Sequence, residues 1–279
     1  MGKQTQAQVA RETTSRTWRN QTSWCWNIIP KAQLTGEVHA VVLLDATKVG
    51  NLVNLIARTT KHVIGWRWVA WESSNTWELL LQQLPEPTVV VCDGQKGISL
   101  AVARVWPSAR VQRCMFHVWQ NMRAKLTLHP QTAAGIDLLA HFKKIWDIKT
   151  PVQARIWQKE FQTIYSKHKD FLAQRTFVKD PAKGQRKWWY THRGVRSAYR
   201  QIGKLIEDEQ LFTHLDTELI KRVGQPIPRT TNHLEGGINS QLKEKLKLHR
   251  GLTQTHQQRL VDWYLYGRTE DQKPTRFFL

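Results

Sequence analysis

Three widely spaced carboxylates carry the chemistry that this sequence suggests. Asp45 closes the apolar run VHAVVLLDA at residues 38–46, and Asp93 closes TVVVCDG at residues 88–94. Glu235 stands within TTNHLEGG. Two carboxylates held side by side repel each other unless a cation lies between them, and Mg²⁺ prefers oxygen ligands of this kind. A two-metal centre for phosphodiester chemistry needs a further carboxylate from another element, and Glu235 is the candidate.

A simpler structural interpretation stands beside the chemical one. A single aspartate at the end of a strand commonly serves a turn or a cap. Asn232, three residues before Glu235, has the spacing of a capping box, which explains the glutamate without any metal. Gly236 and Gly237 weaken a helix at this point, but they let a nucleic-acid backbone or a neighbouring strand approach closely. Asn239 lies one helical turn after Glu235, where it orients that carboxylate or touches substrate.

The apolar patterns between residues 38 and 114 predict the elements that must position the aspartates. Three strands of an antiparallel meander are followed by a helix, a fully apolar strand, a second helix and a short strand. The predicted bounds are 38–46, 51–60, 63–71, 74–85, 88–94, 97–106 and 110–114. If the fourth strand lies parallel to the first and beside it, Asp45 and Asp93 become adjacent where α/β sheets place their sites.

The long segment between the second aspartate and the glutamate must have structure of its own. Asp93 and Glu235 are separated by 141 residues, too many for a loop inside a compact domain. Apolar residues recur there at intervals of three and four, which predicts several amphipathic helices. Aromatic residues at this spacing, such as Trp157 and Phe161, are predicted to lie in the core of that insertion.

Basic residues cluster in two stretches and suggest a polyanionic partner. Residues 181–206 contain seven Lys or Arg and no Asp or Glu, with aromatic residues interleaved. Basic side chains neutralise phosphates and exposed aromatic rings stack on bases, but a solvated basic helix whose tryptophans enter the core explains the same pattern. The second stretch covers residues 243–250. The candidate DNA-binding residues are Arg186, Lys187, Trp188, Trp189, Arg193, Arg196, Lys243, Lys245, Lys247 and Arg250.

Composition supports a nucleic-acid partner and a reducing compartment. The 279 residues carry a formal net charge of +20, which attracts polyanions more strongly than solubility requires. The three cysteines include no CxxC pair, which argues against a disulfide framework and a four-cysteine zinc site. No apolar run is long enough to span a membrane and no signal-peptide core is present, so we expect a cytoplasmic protein without a membrane partner.

Four segments together resemble a known family. LLDATKVG, VVVCDGQKGI, QRCMFHV and TTNHLEGGINSQLK are similar, in order and context, to the catalytic region of the DDE transposases of the Mutator-like superfamily, as found in bacterial insertion sequences. The resemblance covers residues 24–265. It implies an RNase H-like α/β fold, in which helices flank a mixed sheet and an all-α insertion precedes the helix that carries the last acidic residue.

The resemblance also implies a mechanism and partners. Asp45, Asp93 and Glu235 would be the catalytic residues and would bind two Mg²⁺ or Mn²⁺ ions. The partners would be double-stranded DNA, both at the terminal inverted repeats of the element and at the target, and further copies of the chain in a synaptic complex. The protein would associate with the bacterial nucleoid when bound to DNA.

The pair Cys114 and His117 falls at a cysteine-or-aspartate, two residues, histidine motif of that family. The resemblance favours an accessory role for His117 near the catalytic centre, where it contacts phosphate or stacks on a base. Half of a zinc site is an alternative, but no second pair has ligand spacing. A buried cysteine beneath a histidine is the common structural interpretation.

We therefore expect four segments. Residues 1–23 form a remnant of a helix-turn-helix or a linker, 24–120 the first part of the RNase H-like domain, 121–228 the helical insertion, and 229–279 the carboxy-terminal helices. The expected function is two-metal-ion cleavage at element ends followed by strand transfer into target DNA. The alternatives are a structure-selective nuclease on the same fold and a truncated, catalytically inactive DNA-binding remnant.

Overall fold

The computed structural model of the chain describes residues 14–179, 187–231, 238–270 and 272–273. Within these ranges, none of the helices combines the length and the apolar character needed to cross a membrane. The chain forms two compact units, one made of residues 1–110 together with 230–279 and the other of residues 111–229.

A mixed five-stranded sheet is the framework of the fold, and its first four strands lie entirely in the first unit. Its strands are β1 (Val41–Val49), β2 (Leu52–Arg58), β3 (Val63–Val69), β4 (Val89–Cys92) and β5 (Arg110–Arg113). Helices α1 (Ser15–Thr22), α2 (Trp24–Asn27), α3 (Ser74–Leu81) and α4 (Lys96–Val105) belong to the same unit. The strand order is β3-β2-β1-β4-β5, with β1 antiparallel to β2, β2 antiparallel to β3, and β4 parallel to β1. This is an RNase H-like α/β fold, and the predicted order of strands and helices is confirmed.

The pairing of β1 with β4 sets the two aspartates level with each other. Leu43 is paired with Val91 in the parallel register. Asp45 and Asp93 each lie two residues further along the chain, so they are level with each other. The expectation that β1 ends at Asp45 is wrong, because the strand continues to Val49 and its second half pairs with β2 across a tight hairpin. Asp45 therefore lies within the strand, and Asp93 follows the end of β4.

Two helices from the end of the chain cover one face of the meander. They are α11 (Ile238–Leu248) and α12 (Gln254–Tyr266). The apolar core they form with the sheet contains Val49, Ile56, Val63, Leu242, Leu260, Val261, Tyr264 and Leu265. Burial of large aliphatic and aromatic side chains stabilises such a layer by about 1.5 to 3 kcal/mol each.

A buried carboxylate fastens α12 to the sheet. The indole N–H groups of Trp66 and Trp68 both donate to Asp262 Oδ1, at 2.9 and 2.7 Å. Arg259 Nη1 lies 3.0 Å from Asp262 Oδ2. Asp262 is only 1% exposed, and burial raises the pKa of its carboxyl above the ordinary value. The hydrogen bonds from both tryptophans and from Arg259 oppose that rise.

The amino-terminal helices are attached to α12 through aromatic contacts. Trp24 meets Trp263 edge-on with ring centroids 5.6 Å apart, and Trp26 stacks on His256 at 4.5 Å. The indole N–H of Trp263 donates to the carbonyl of Cys25 at 2.7 Å. The assignment of residues 1–23 to a linker or helix-turn-helix remnant stays a prediction.

The second unit is mostly helical and has a core of its own. Its helices are α5 (Met115–Leu126), α6 (Ala133–Lys143), α7 (Pro151–Lys167), α8 (Lys169–Ala173), α9 (Arg193–Glu207) and α10 (Thr217–Val223). A short antiparallel hairpin, β6 (Arg175–Phe177) and β7 (Trp188–Tyr190), interrupts them. Trp157 and Phe161 are buried in the core, as predicted.

Candidate active site

Asp45 and Asp93 are half-buried and accept hydrogen bonds from the backbone. Asp45 Oδ1 accepts a hydrogen bond from the N–H of Ala46 at 2.9 Å. Asp93 Oδ1 accepts one from the N–H of Gln95 at 2.9 Å, which closes a tight turn between β4 and α4. Such bonds fix the orientation of a carboxylate while leaving lone pairs available, because an ionised carboxylate has about four acceptor positions.

Asn239, in the first turn of α11, contacts the first aspartate directly. Its Nδ2 donates to Asp45 Oδ2 at 2.7 Å, so both oxygens of Asp45 have a donor. The sequence suggested that Asn239 orients Glu235 or touches substrate, and within the described residues its partner is Asp45. Asn239 Oδ1 is buried and has no hydrogen-bond partner there. An unsatisfied buried acceptor of this kind costs about 1 to 3 kcal/mol.

A buried guanidinium lies near the same carboxylate. Arg58, at the end of β2, is 9% exposed. Burial lowers the pKa of Arg58, and the charge of Asp45 opposes that fall. Arg58 Nη2 donates to the carbonyl of Thr231, the last described residue before the segment that contains Glu235. This arginine therefore connects the strand beside Asp45 to the start of that segment.

Sequence reasoning missed Glu72, a further carboxylate near Asp45 and Asp93. It follows β3, which runs in the same direction as β1, and it lies close enough to Asp93 and Asp45 for their charges to act on it. Trp77 Nε1 donates to Glu72 Oε1 at 2.8 Å. Burial raises the pKa of Glu72, and the negative charges of Asp93 and Asp45 raise it further. The sequence argument looked for a carboxylate near the carboxyl end of a strand that runs parallel to β1. The same argument would have found Glu72, which follows β3.

A close backbone contact holds the Glu72 loop against α4. A Cβ on Gly97 would lie 3.1 Å from the carbonyl carbon of Ser73 and 3.2 Å from the amide nitrogen of Ser74. Only glycine allows this approach without a shift of the backbone. The loop after β3 and the turn after β4 are thus packed together, which keeps Glu72 near Asp93.

Glu235, the remaining predicted ligand, and Asn232, a predicted accessory residue, lie outside the described residues. Across the part of the chain that the structure describes, no group of three or more His, Cys, Asp or Glu side chains is arranged to hold a metal ion. The donor set still suits a hard divalent cation, because Asp45 and Asp93 supply carboxylate oxygens level with each other. A third carboxylate, Glu72, lies near them; burial raises its pKa and their negative charges raise it further.

Cys114 and His117 belong to the second unit. Cys114 is buried and immediately precedes α5. His117 lies in the first turn of α5, where its ring meets Phe116 with centroids 5.8 Å apart. The accessory role of this pair stays a prediction.

The basic aromatic stretch forms one strand of the hairpin and the start of α9. Trp188 packs under the guanidinium of Arg175, 4.0 Å from its ring centroid. Trp189 is 37% exposed. Neither tryptophan belongs to the buried core of the unit, so the interpretation that they fill the insertion core loses its support. Lys187 and Arg193 are exposed, Arg196 is half-buried, and Arg186 lies outside the described residues.

The second basic group divides between two faces of α11. Lys243 and Lys247 are exposed, as is Arg250 after the helix. Lys245 is half-buried, with its ammonium 5.8 Å from the ring centroid of Tyr264. Residues four apart share a helix face, so Lys243 and Lys247 form the exposed pair.

Comparison with known proteins finds a family match for part of the chain. Residues 41–176 match the family described as Transposase, Mutator family. A transposase for an insertion sequence element of Mycolicibacterium smegmatis is 31% identical over 138 residues, which is 45% of this chain and 40% of that protein. One from Lactococcus lactis is 29% identical over 102 residues, 34% of this chain and 25% of that protein. One from Lactobacillus helveticus is 31% identical over 107 residues, 31% of this chain and 29% of that protein. The chain thus matches less than half the length of each of these relatives.

Proposed function

Because residues 41–176 match the Mutator family of transposases, we propose that the first unit of the chain contains the catalytic centre of a DNA transposase. The enzyme would cut DNA at the ends of an insertion element and join those ends to a target. The observation that carries the proposal is the parallel pairing of β1 with β4, which brings Asp45 level with Asp93 at the carboxyl end of β4.

Asp45, Asp93 and Glu235 are proposed to hold two Mg²⁺ or Mn²⁺ ions in a DDE-type site. Bound divalent ions would supply Lewis-acid activation of the attacking oxygen and would neutralise charge on the phosphodiester. Asn239 holds Asp45 in one orientation through Oδ2. Arg58 lowers the repulsion between that carboxylate and its acidic neighbours, because its buried positive charge lies near Asp45.

The rest of the chain is proposed to bind and position DNA. The exposed cations of α9 and α11 would contact phosphates of the element end and of the target. His117 and Cys114 would act as accessory residues, and residues 121–228 would form an insertion within the catalytic domain. The active form is proposed to be a homo-oligomer that holds two element ends in the bacterial cytoplasm.

The test is metal-dependent cutting and joining of a labelled duplex that carries the element end. Wild type with Mg²⁺ should yield joined product, while Asp45→Asn and Glu235→Gln should abolish it and leave the fold intact by circular dichroism. Glu244→Gln, which removes an exposed carboxylate from α11, is the matched control and should retain activity.

Each other outcome has a definite meaning. Joined product from Glu235→Gln would remove Glu235 from the site. Cutting without joining by the wild type would indicate a structure-selective nuclease. Binding without chemistry in every protein, with and without Mg²⁺, would indicate a DNA-binding remnant.

A further inference from the structure

The exposed cations of α9 line a positively charged cavity of the second unit, and the proposed function does not say which form of DNA this cavity binds. Its volume is about 810 Å³, within the range of roughly 300 to 1,000 Å³ that is typical of ligand pockets. Residues of α5, α7, α9 and the hairpin line it, and all of them lie in residues 111–229. That segment has 22 Lys and Arg against 10 Asp and Glu.

The charges that line the cavity are strongly unbalanced. Its lining includes five cations and one carboxylate, namely Lys125, Arg193, Arg196, Arg200, Lys204 and Glu207. Four of the cations follow one another on α9 at intervals of three or four residues, so they form a stripe along one side of that helix. The stripe is about 16 Å long at a rise of about 1.5 Å per residue.

Two of these arginines carry charge that is available to a ligand. Arg193 and Arg200 are exposed, and neither has a carboxylate within ion-pair distance among the described residues. Lys204 is already paired with Asp208, whose Oδ1 lies 2.7 Å from its ammonium. Lys125 donates to Gln201, and burial lowers the pKa of its ammonium below the ordinary value.

The wall of the cavity is fixed by close packing. The Arg196 guanidinium lies 3.7 Å from the ring centroid of Tyr190, and its Nη1 donates to the carbonyl of Leu172 at 3.0 Å. A Cβ on Gly194 would lie 2.8 Å from the carbonyl oxygen of Lys125, so α9 approaches α5 as closely as glycine permits. The cations are therefore presented by a preformed wall, which lowers the entropic cost of binding.

We propose that this cavity binds the phosphodiester backbone of an unpaired DNA strand. Guanidinium groups pair with phosphate oxygens in a bidentate manner, and arginine suits this chemistry better than lysine. The stripe has about one cation per helical turn, a spacing that suits the successive phosphates of a strand. A single phosphate would need fewer cations. A volume of about 810 Å³ is too small to enclose a duplex. The inference rests on the proposed function only in taking DNA as the ligand.

The test is binding of fluorescent DNA to the full chain in EDTA, where metal-dependent chemistry cannot contribute. Anisotropy would compare a short oligodeoxythymidine strand with a blunt duplex over a range of salt concentrations. Arg200→Gln and the double variant Arg193→Gln, Arg200→Gln remove the available cations. Arg155→Gln removes an exposed cation from α7 that does not line the cavity, so it is the matched control.

We expect the double variant to bind the strand about tenfold more weakly, with its salt slope reduced by about 1.4, because each lost phosphate contact lowers the slope by about 0.7. Arg200→Gln should give about half that change in slope, and Arg155→Gln none. Unchanged strand binding by the double variant would overturn the proposal. Binding of dTTP as tight as the strand, with the same dependence on Arg200, would assign the cavity to free nucleotides and overturn it as well.

The two proposals fail separately. Strand binding that depends on Arg200, in a protein that neither cuts nor joins DNA with Mg²⁺, would keep the cavity and reject the transposase activity. Normal cutting and joining, in a protein whose strand binding does not depend on Arg193 or Arg200, would keep the transposase activity and reject the cavity as a strand-binding site.

Discussion

Replacing Asp262 by alanine should destabilise the first unit more than any exposed substitution. This carboxylate is the shared acceptor of two indole N–H groups, from Trp66 and Trp68, and of the Arg259 guanidinium. Its removal leaves three donors without an acceptor at the contact between α12 and the sheet. The change therefore weakens the layer against which α11 and Asn239 are held.

The magnitude follows from those three bonds. Each indole donor left without an acceptor costs about 1 kcal/mol, the low end of the range, because both rings are only partly buried. The guanidinium loses a charged hydrogen bond worth about 1.5 to 3 kcal/mol. Burial of the charged carboxylate opposes folding, as its raised pKa indicates. The alanine variant avoids this unfavourable free energy, which reduces the net destabilisation. The net destabilisation should be about 3 to 4 kcal/mol.

Urea denaturation of wild type and variant at pH 7, followed by tryptophan fluorescence and circular dichroism, measures this difference. Asp262→Asn is the matched control, because its amide oxygen keeps the acceptor for both indoles and only the guanidinium bond is lost. In a protein with Trp66→Phe and Trp68→Phe, Asp262→Ala should cost about 2 kcal/mol less. A loss below 1 kcal/mol, or an equal loss in both backgrounds, would refute the reasoning.

Two further predictions concern the candidate site, and a third concerns the pH dependence of stability. Asn239→Ala should raise the Mg²⁺ concentration for half-maximal cleavage about tenfold, because it removes a partner that orients a ligand; Asn121→Ala, at an exposed position, should not. Glu72→Gln keeps the acceptor for its indole but removes a like charge beside two aspartates, so the Tm in EDTA should rise and the gain in Tm on adding Mg²⁺ should shrink; an unchanged pair of Tm values would contradict this. Burial and a neighbouring guanidinium lower the pKa of His214 from 6.5 to about 4. The unfolded chain therefore takes up the proton first, so the contribution of His214 is complete above pH 6.5 and up to about 3 kcal/mol is lost as pH falls towards 4. Urea titrations at pH 7 and pH 4.5 should show this loss in wild type and in His129→Asn, and a smaller one in His214→Asn.

The arrangement of the sheet could be predicted because its central strands, β1 and β4, contain continuous apolar runs. Residues 41–44 and 89–92 are continuous apolar runs, and all of them are buried in the structure. Such runs are typical of strands covered on both faces, which favours parallel pairing. The end of β1 was placed wrongly because Asp45 interrupts the apolar run, yet the ladder with β2 continues through the alternation of exposed Lys48 and buried Val49.

Other features of the site depend on packing that local patterns do not encode. Arg58 ends a strand and has the pattern of a surface charge, but its partner Thr231 lies far along the chain. Asp262 sits in an amphipathic helix, where a lone aspartate is normally solvated, and only the approach of two tryptophans from β3 explains its burial. The hairpin of β6 and β7 has three residues per strand, too few for the alternation on which prediction of a strand relies.

The cover that α11 and α12 provide over β1, β2 and β3 has a consequence for synthesis on the ribosome. β1, which carries Asp45, and its neighbours β2 and β3 are made early. The apolar residues that cover them belong to the last two helices of the described chain. Roughly 145 residues separate Asp93 from the start of α11, which corresponds to about 7 to 29 seconds of translation at ordinary rates. During that interval the sheet face is exposed and Asp45 has no Asn239 to orient it. We therefore expect the nascent protein to be prone to aggregation until α11 and α12 have been made. A chain that stops inside the second unit should lack both this cover and the Asn239 contact to Asp45.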